Sequence, residues 1–250
     1  MDERGGVVVP VTIDGSGPFR FMLDTGSSRS AVADDLASEL AARLVARTEV
    51  VSSAGPEMHD VARLERVELA GARATFLLAS VIPAARLRTI GSEIRGVLAQ
   101  DFLSEFNYTL DYRRGRLTWD GTGIASCDNR AAVPLVASEG RYVVKVSDGR
   151  SQSLRLVPDS GADSLVLFAS PRTDDAPTAP GTVSVTGVTG SARARKARAP
   201  RLIVGDVTLP NSPAVIVERD YAESDGLLPL HFFASVSFNM QDGCMIVRAR

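Results

Sequence analysis

Phe21-Met22-Leu23-Asp24-Thr25-Gly26-Ser27-Ser28 decides the reading of this chain: an apolar run delivers an acid, a hydroxyl residue and a glycine in succession, then two serines. The pattern returns 135 positions later as Leu156-Val157-Pro158-Asp159-Ser160-Gly161-Ala162-Asp163. A strand that ends in this way presents its acid from a tight loop, and glycine permits the backbone path. One such tripeptide alone reads as a turn in which the acid bonds neighbouring amides. Two at matched positions, a little over half the chain apart, read as one unit written twice. The expectation is that the two units face each other and bring Asp24 and Asp159 together.

Working outward, Val7-Val8-Val9-Pro10-Val11-Thr12-Ile13 is rich in β-branched residues and Asp14-Gly15 supplies turn chemistry, so a hairpin leads into the first motif. Leu36, Leu40 and Leu44 recur four apart with acids early and an arginine late, which predicts a helix over 34–44, the only one of any length. Residues 48–69 read as a hairpin tipped near Gly55-Pro56, strands follow around 75–81, and a short polar loop leads to Gly96-Val97-Leu98-Ala99-Gln100-Asp101-Phe102-Leu103. The second half repeats the order. Val143-Val144-Lys145-Val146 precedes the second acid, a glycine-tipped hairpin spans Gly187 and Gly190, and Gly226-Leu227-Leu228-Pro229 answers Gly96 at a spacing of 130. The predicted lobes are 1–122 and 131–250, with 123–130 as linker. Residues 171–180, with three prolines, take the place of the first half's helix and read as a surface loop.

The 250 residues carry a net charge of −2, with 44% hydrophobic and 23% charged residues, which fits a folded chain and suggests no strong field for nucleic acid or an anionic membrane. Arg193-Ala194-Arg195-Lys196-Ala197-Arg198 is read as the solvated side of the second hairpin in preference to a nucleic-acid patch. No run is long enough for a membrane span. The first residues lack a basic region with an apolar signal core, so the chain is read as cytoplasmic or as exported after removal of a signal. Cys127, Cys244, His59 and His231 are scattered singly, without ligand spacing, so no metal or cofactor is expected. The cysteines are read first as separate thiols, with a disulfide between the ends of the halves as the alternative. The histidines are taken as structural, without a partner set. Trp119, Phe102, Phe106, Phe232 and Phe233 are core candidates.

The paired Asp-Thr/Ser-Gly motifs, each followed some seventy residues later by a glycine-led apolar run, resemble the aspartic peptidases, and the glycine-tipped hairpins are most similar to the retropepsin-type unit, here in tandem in one chain. The resemblance implies an all-β, two-lobed acid-protease β-barrel fold with pseudo-twofold internal duplication and an active-site cleft between the lobes. It implies Asp24 and Asp159 as the catalytic pair, Thr25 and Ser160 exchanging hydrogen bonds across the centre, and Gly26 and Gly161 allowing close packing, with Ser27 in support. Gly55, Gly187 and Gly190 fall at the tips of flaps over a peptide or protein substrate. A monomer suffices for such a site. Departures from the pattern are Ala99 and Pro229, where a glycine is usual, and Pro158 directly before the second acid, which is expected to set its strand differently.

The chemistry follows from electrostatics. Two carboxylates in one site cannot both stay ionised, so the pair holds one proton; the ionised member takes a proton from water while the other hydrogen-bonds a scissile carbonyl. Ser27 has a hydroxyl able to donate to Asp24, and the matching residue after Asp159 is Ala162, so Asp24 is expected to be the ionised member. The rival reading is a peptide-binding protein that keeps the cleft without efficient catalysis; a nucleic-acid adaptor built on the basic hairpin is a third.

Overall fold

Along Val7–Ile13 every second residue is buried, and Asp14-Gly15, at φ 52° and 84°, turns the chain straight back into Ser16–Leu23. Two positive-φ residues make the tight turn whose twist matches that of the strands it joins, and Asp-Gly adopts it at low cost. In this computed structural model the described residues are 6–52, 55–119, 126–147, 153–170, 173, 176, 178–187, 190–199, 201–218 and 223–250. They are mostly β-strand, with three short α-helices and one turn of 3₁₀-helix.

Six strands of the first half close on themselves. Val7–Ile13 is followed around the barrel by Ser16–Leu23, Gly96–Leu98, Ala31–Ala33, Ala72–Ile82 and Gly55–Leu69, which returns to the first strand through Thr12 opposite Glu68. Arg43–Ser52 pairs outside the ring on Gly55–Leu69. Ser16–Leu23 runs parallel to Gly96–Leu98, with Leu23 opposite Leu98, and the latter lies antiparallel to Ala31–Ala33. The second half repeats this crossing: Ser153–Asp159 runs parallel to Gly226–Pro229, which lies antiparallel to Leu165–Phe168. A side chain on Gly96 would put Cβ 2.2 Å from the Phe21 ring, and one on Gly226 would put it 2.1 Å from the Val166 carbonyl oxygen. Only glycine lets these strands approach, which is why both apolar runs begin with it.

The two halves differ where the 15-residue strand Gly55–Leu69 is answered by two pieces, Gly190–Arg198 and Leu202–Val204, and where Ala72–Ile82 is answered by Val207–Leu209 and Pro213–Val217. Pro210 and Pro213 interrupt the latter, since proline has no N–H for a ladder. Strands from both halves then share a five-stranded sheet: Ala132–Pro134, Cys244–Arg248, Ser235–Asn239, Tyr108–Asp111 and Arg116–Trp119. Tyr108 stacks on Phe238 at 4.7 Å, Phe102, Phe106 and Trp119 pack together, and the core runs continuously between the halves. Phe233 is fully buried and Phe232 packs at the core's edge.

Several expectations are corrected. The helix after Ala31–Ala33 covers only Asp34–Glu39; Ala41 turns left-handed at φ 49°, and Arg43–Ser52 is strand, with Leu44 exposed. Val45, Thr48, Val50 and Val51 favour the extended chain, and pairing with Gly55–Leu69 decides the matter. The helix has no side-chain cap, and it is held by Leu36, whose burial contributes on the order of 2 kcal/mol. A longer helix, Ala84–Ile90, stands in what reads as a polar loop. The proline-rich segment is strand from Thr178 onward, including Pro180, and much of the remainder lies outside the described residues. Pro158 keeps the register, opposite Leu228. Cys127 and Cys244 form a disulfide, with Cα atoms 5.9 Å apart, because Ala132–Pro134 pairs with Cys244–Arg248 and lays the preceding turn beside the last strand. Along Gly190–Arg198 the basic run is interrupted by two buried alanines, Ala194 and Ala197, which join different apolar clusters, and Arg195 pairs with Glu218. No helix among the described residues is long and apolar enough to cross a membrane.

Candidate active site

Each motif acid stands at or just beyond the end of a strand. Asp159 closes Ser153–Asp159, and Asp24 follows Ser16–Leu23, with its N–H donating to the Leu98 carbonyl at 2.9 Å. Beyond these points the chains cross. The Thr25 hydroxyl donates to the Pro158 carbonyl at 2.8 Å and accepts from Ser160 N–H at 3.0 Å. The Ser160 hydroxyl donates to the Leu23 carbonyl at 2.7 Å and accepts from Thr25 N–H at 3.0 Å. Thr25 is 1% exposed and Ser160 2%, so all four bonds are shielded from water. This reciprocal clasp sets a local twofold relation between the loops and brings their acids together.

The glycines press against the opposite carboxyl group. A Cβ on Gly26 would lie 2.5 Å from Asp159 Cγ, and one on Gly161 would lie 3.2 Å from Asp24 Cγ. Asp24 accepts from Gly26 N–H at 2.9 Å and from the Ser27 hydroxyl at 2.8 Å, one bond on each oxygen. Asp159 accepts both of its bonds, from Gly161 N–H at 2.7 Å and Ala162 N–H at 3.0 Å, on Oδ1. Burial pushes the Asp159 carboxyl well above the usual carboxylate range, and the neighbouring Asp24 adds to the rise, outweighing the two amide bonds. The rise favours the protonated form of Asp159.

A cavity of about 180 Å³ opens from the acids. Met22, Ile90, Val166, Val185 and Leu227 give it apolar walls, and Asp163 and Ser164 lie on its rim. Gly187 lines it; Gly190 pairs with Gly187 across a tip at 188–189 that lies outside the described residues. Gly55 opposes Ser52 beside the other hairpin tip, and residues 53–54 also lie outside the described residues. Among the described residues no three His, Cys, Asp or Glu side chains gather as a metal site.

Three supporting residues escape a reading of the sequence. Asp101 accepts from Ser30 N–H at 2.9 Å and from the Ser30 hydroxyl at 2.6 Å, and that hydroxyl in turn accepts from Ala99 N–H at 3.0 Å. Gln100 donates from Nε2 to the Thr25 carbonyl at 3.0 Å, beneath the clasp. The signal was present: Gln100-Asp101 is a polar pair inside an apolar run, and a buried polar group needs partners. Helix Ala84–Ile90 was also missed. It supplies Thr89 and Ile90 to the cavity wall, and Arg86 grips both carboxylate oxygens of Glu57 in the first hairpin. His59 belongs to this group: its Nδ1 is 3.2 Å from the Val81 carbonyl and its Nε2 is 3.5 Å from Glu57. The expectation that it lacks a partner set is corrected.

Comparison with known families is consistent with this geometry. A family model described as aspartyl protease matches residues 9–102 and again residues 143–232, together well over half of the chain. No curated protein matches the chain at a significant level.

Proposed function

The chain belongs to the aspartyl protease family, and from that premise we propose that it is an aspartic endopeptidase in which Asp24 and Asp159 activate water against a peptide bond. The observation that carries the reading is the asymmetric pair: two buried carboxyl groups clasped together, with burial raising Asp159 well above the usual carboxylate range and two hydrogen bonds spread over both oxygens of Asp24. Asp24 accepts a proton from water as its oxygen attacks the scissile carbonyl carbon, and Asp159 gives its proton to the carbonyl oxygen. The resulting gem-diol collapses when Asp24 passes its proton to the amide nitrogen. Asp159 recovers one from a hydroxyl, the C–N bond breaks, and the starting protonation returns. No covalent intermediate forms.

Thr25, Gly26, Ser27, Ser160 and Gly161 hold this pair, and Gly55, Gly187 and Gly190 shape the two hairpins over the substrate. The lobes are assigned as 1–122 and 131–250, joined through 123–130. The test is cleavage of a mixed peptide library from about pH 3 to 8 by wild type, Asp24→Asn and Asp159→Asn, since general acid–base groups contribute about 10²–10⁴-fold. Loss of that order in both variants is expected. A folded wild type that binds peptides without cleaving them at any pH, or a variant within tenfold of wild type, overturns the reading.

A further inference from the structure

A second cavity, of about 140 Å³, adjoins the one that holds the acids. Val8 and Met22 are directly opposed in the first hairpin and both line it. Its other side is the chain that leaves helix Ala84–Ile90. Ile90 and Ile94 line it there, Ile94 N–H closes a turn on the Gly91 carbonyl at 3.0 Å, and Arg95 N–H donates to the Arg20 carbonyl at 2.8 Å, which pins this segment to the hairpin. Met22 and Ile90 line both cavities, so they form the partition between this one and the acids. Met22 is buried, but its unbranched chain has three rotatable bonds and yields to a group entering from the cleft. Arg20, two residues and about 7 Å further along the strand, stands at the end away from the acids. Glu93 faces it there at 3.5 Å, and both side chains are largely exposed.

A dry cavity of about 150 Å³ with apolar walls takes up benzene. This one is close to that size, has apolar walls in Val8, Met22, Ile90 and Ile94, and meets the cleft beside the acids. We infer that it is a subsite for an aromatic side chain of the substrate, which enters past Met22 and lodges its ring between the hairpin and residues 90–94. This rests on the endopeptidase reading above. Burial of apolar surface favours any large apolar side chain over alanine, and the Arg20 guanidinium adds an attraction for the face of a ring that leucine does not receive. The walls all belong to the first half, so the preference falls on one residue of the peptide, on one side of the cleaved bond. In the second half Val157 takes the place of Met22, opposite Leu227 as Met22 is opposite Val97, and a β-branched valine has little rotamer freedom with which to open a partition. Val8, Arg20 and Met22 are then specificity-determining residues.

The test uses fluorogenic peptides identical but for alanine, leucine, phenylalanine or tryptophan at one residue, that residue being moved in turn along the positions flanking the cleaved bond. They are assayed with wild type, with Val8→Phe, which fills the cavity from the hairpin, and with Val8→Ala, which enlarges it. At one position wild type should prefer phenylalanine to alanine by at least about tenfold in kcat/KM, the discrimination expected of an apolar pocket, with leucine between them. Val8→Phe should bring that ratio close to one, and Val8→Ala should move the preference toward tryptophan. Each ratio is taken within one variant, so a smaller folded fraction does not alter it. Phenylalanine no better than leucine or alanine at every position, or ratios that both exchanges leave unmoved, overturns the inference and leaves the catalytic reading standing. If no peptide is cleaved, anisotropy of the same labelled peptides decides. Tighter binding of the phenylalanine peptide that Val8→Phe abolishes keeps the subsite and rejects the endopeptidase, and equal binding of all the peptides rejects both.

Discussion

Replacing Thr25 with valine removes one oxygen and keeps the shape, so it isolates the clasp between the halves. The lost hydroxyl serves two buried groups, the Pro158 carbonyl and Ser160 N–H, at a position 1% exposed. Each group left without a partner costs about 1–3 kcal/mol, which puts Thr25→Val about 2–6 kcal/mol below wild type. The apolar contacts survive, because valine matches threonine in volume. In urea unfolding near neutral pH this is a fall in midpoint on the order of 1 M or more with little change in slope, since the folded state buries the same surface. Thr25→Ser keeps the hydroxyl, loses one methyl group and should cost at most about 1.5 kcal/mol. The order Val worse than Ser is the diagnostic, because a site that mattered only for packing would give the opposite order. Thr25→Val within about 0.5 kcal/mol of wild type, or Thr25→Ser as damaging as Thr25→Val, would refute the argument that the crossed bonds hold the two acid loops together.

Two further outcomes follow from the same structure. Asp159 binds its proton more tightly folded than unfolded, so its stabilising effect is full at the usual carboxyl range and below, and drains away as pH rises from about 4 through the raised value. Asp159→Asn should therefore gain stability relative to wild type across that window; urea midpoints that stay parallel between pH 4 and 8 would contradict the assignment of the proton. The Cys127–Cys244 disulfide closes a sequence separation of 117 residues, so the double serine variant should lose about 2–5 kcal/mol, and reductant should lower the melting temperature of wild type but not of the variant.

The duplicated frame was legible because it rests on residue types that tolerate no alternative. Asp24-Thr25-Gly26 and Asp159-Ser160-Gly161 announce themselves, and Gly96 and Gly226 mark the places where strands must nearly touch. What stayed hidden depends on pairing between distant segments. Leu36, Leu40 and Leu44 have a helical rhythm, yet Leu44 belongs to a strand because residues 55–69 offer it a ladder. Cys127 meets Cys244 only through the strand pairing of residues 132–134 with the last strand. Helix Ala84–Ile90 is signalled only by Pro83 at its start and the good helix formers Ala84, Ala85, Arg86 and Leu87, too short a stretch for a helical rhythm to stand out from a polar loop.

The hidden part is also where the two halves part company, and the difference bears on how the pair becomes unequal. Behind the first acid loop lies a polar layer, with Ser30 bonded to Asp101 and Gln100 bonded to the Thr25 carbonyl. The positions equivalent to Ser30 and Gln100 behind the second loop are Leu165 and Leu230, both fully buried and apolar, and His231 takes the place of Asp101. A loop backed by Ser30, Gln100 and Asp101 is fixed by directional bonds, which hold Ser27 where its hydroxyl reaches Asp24; Gln100 N–H also bonds the Ser27 carbonyl at 3.1 Å. Duplication supplies two acids in like loops, and the residues behind those loops are where the two settings diverge.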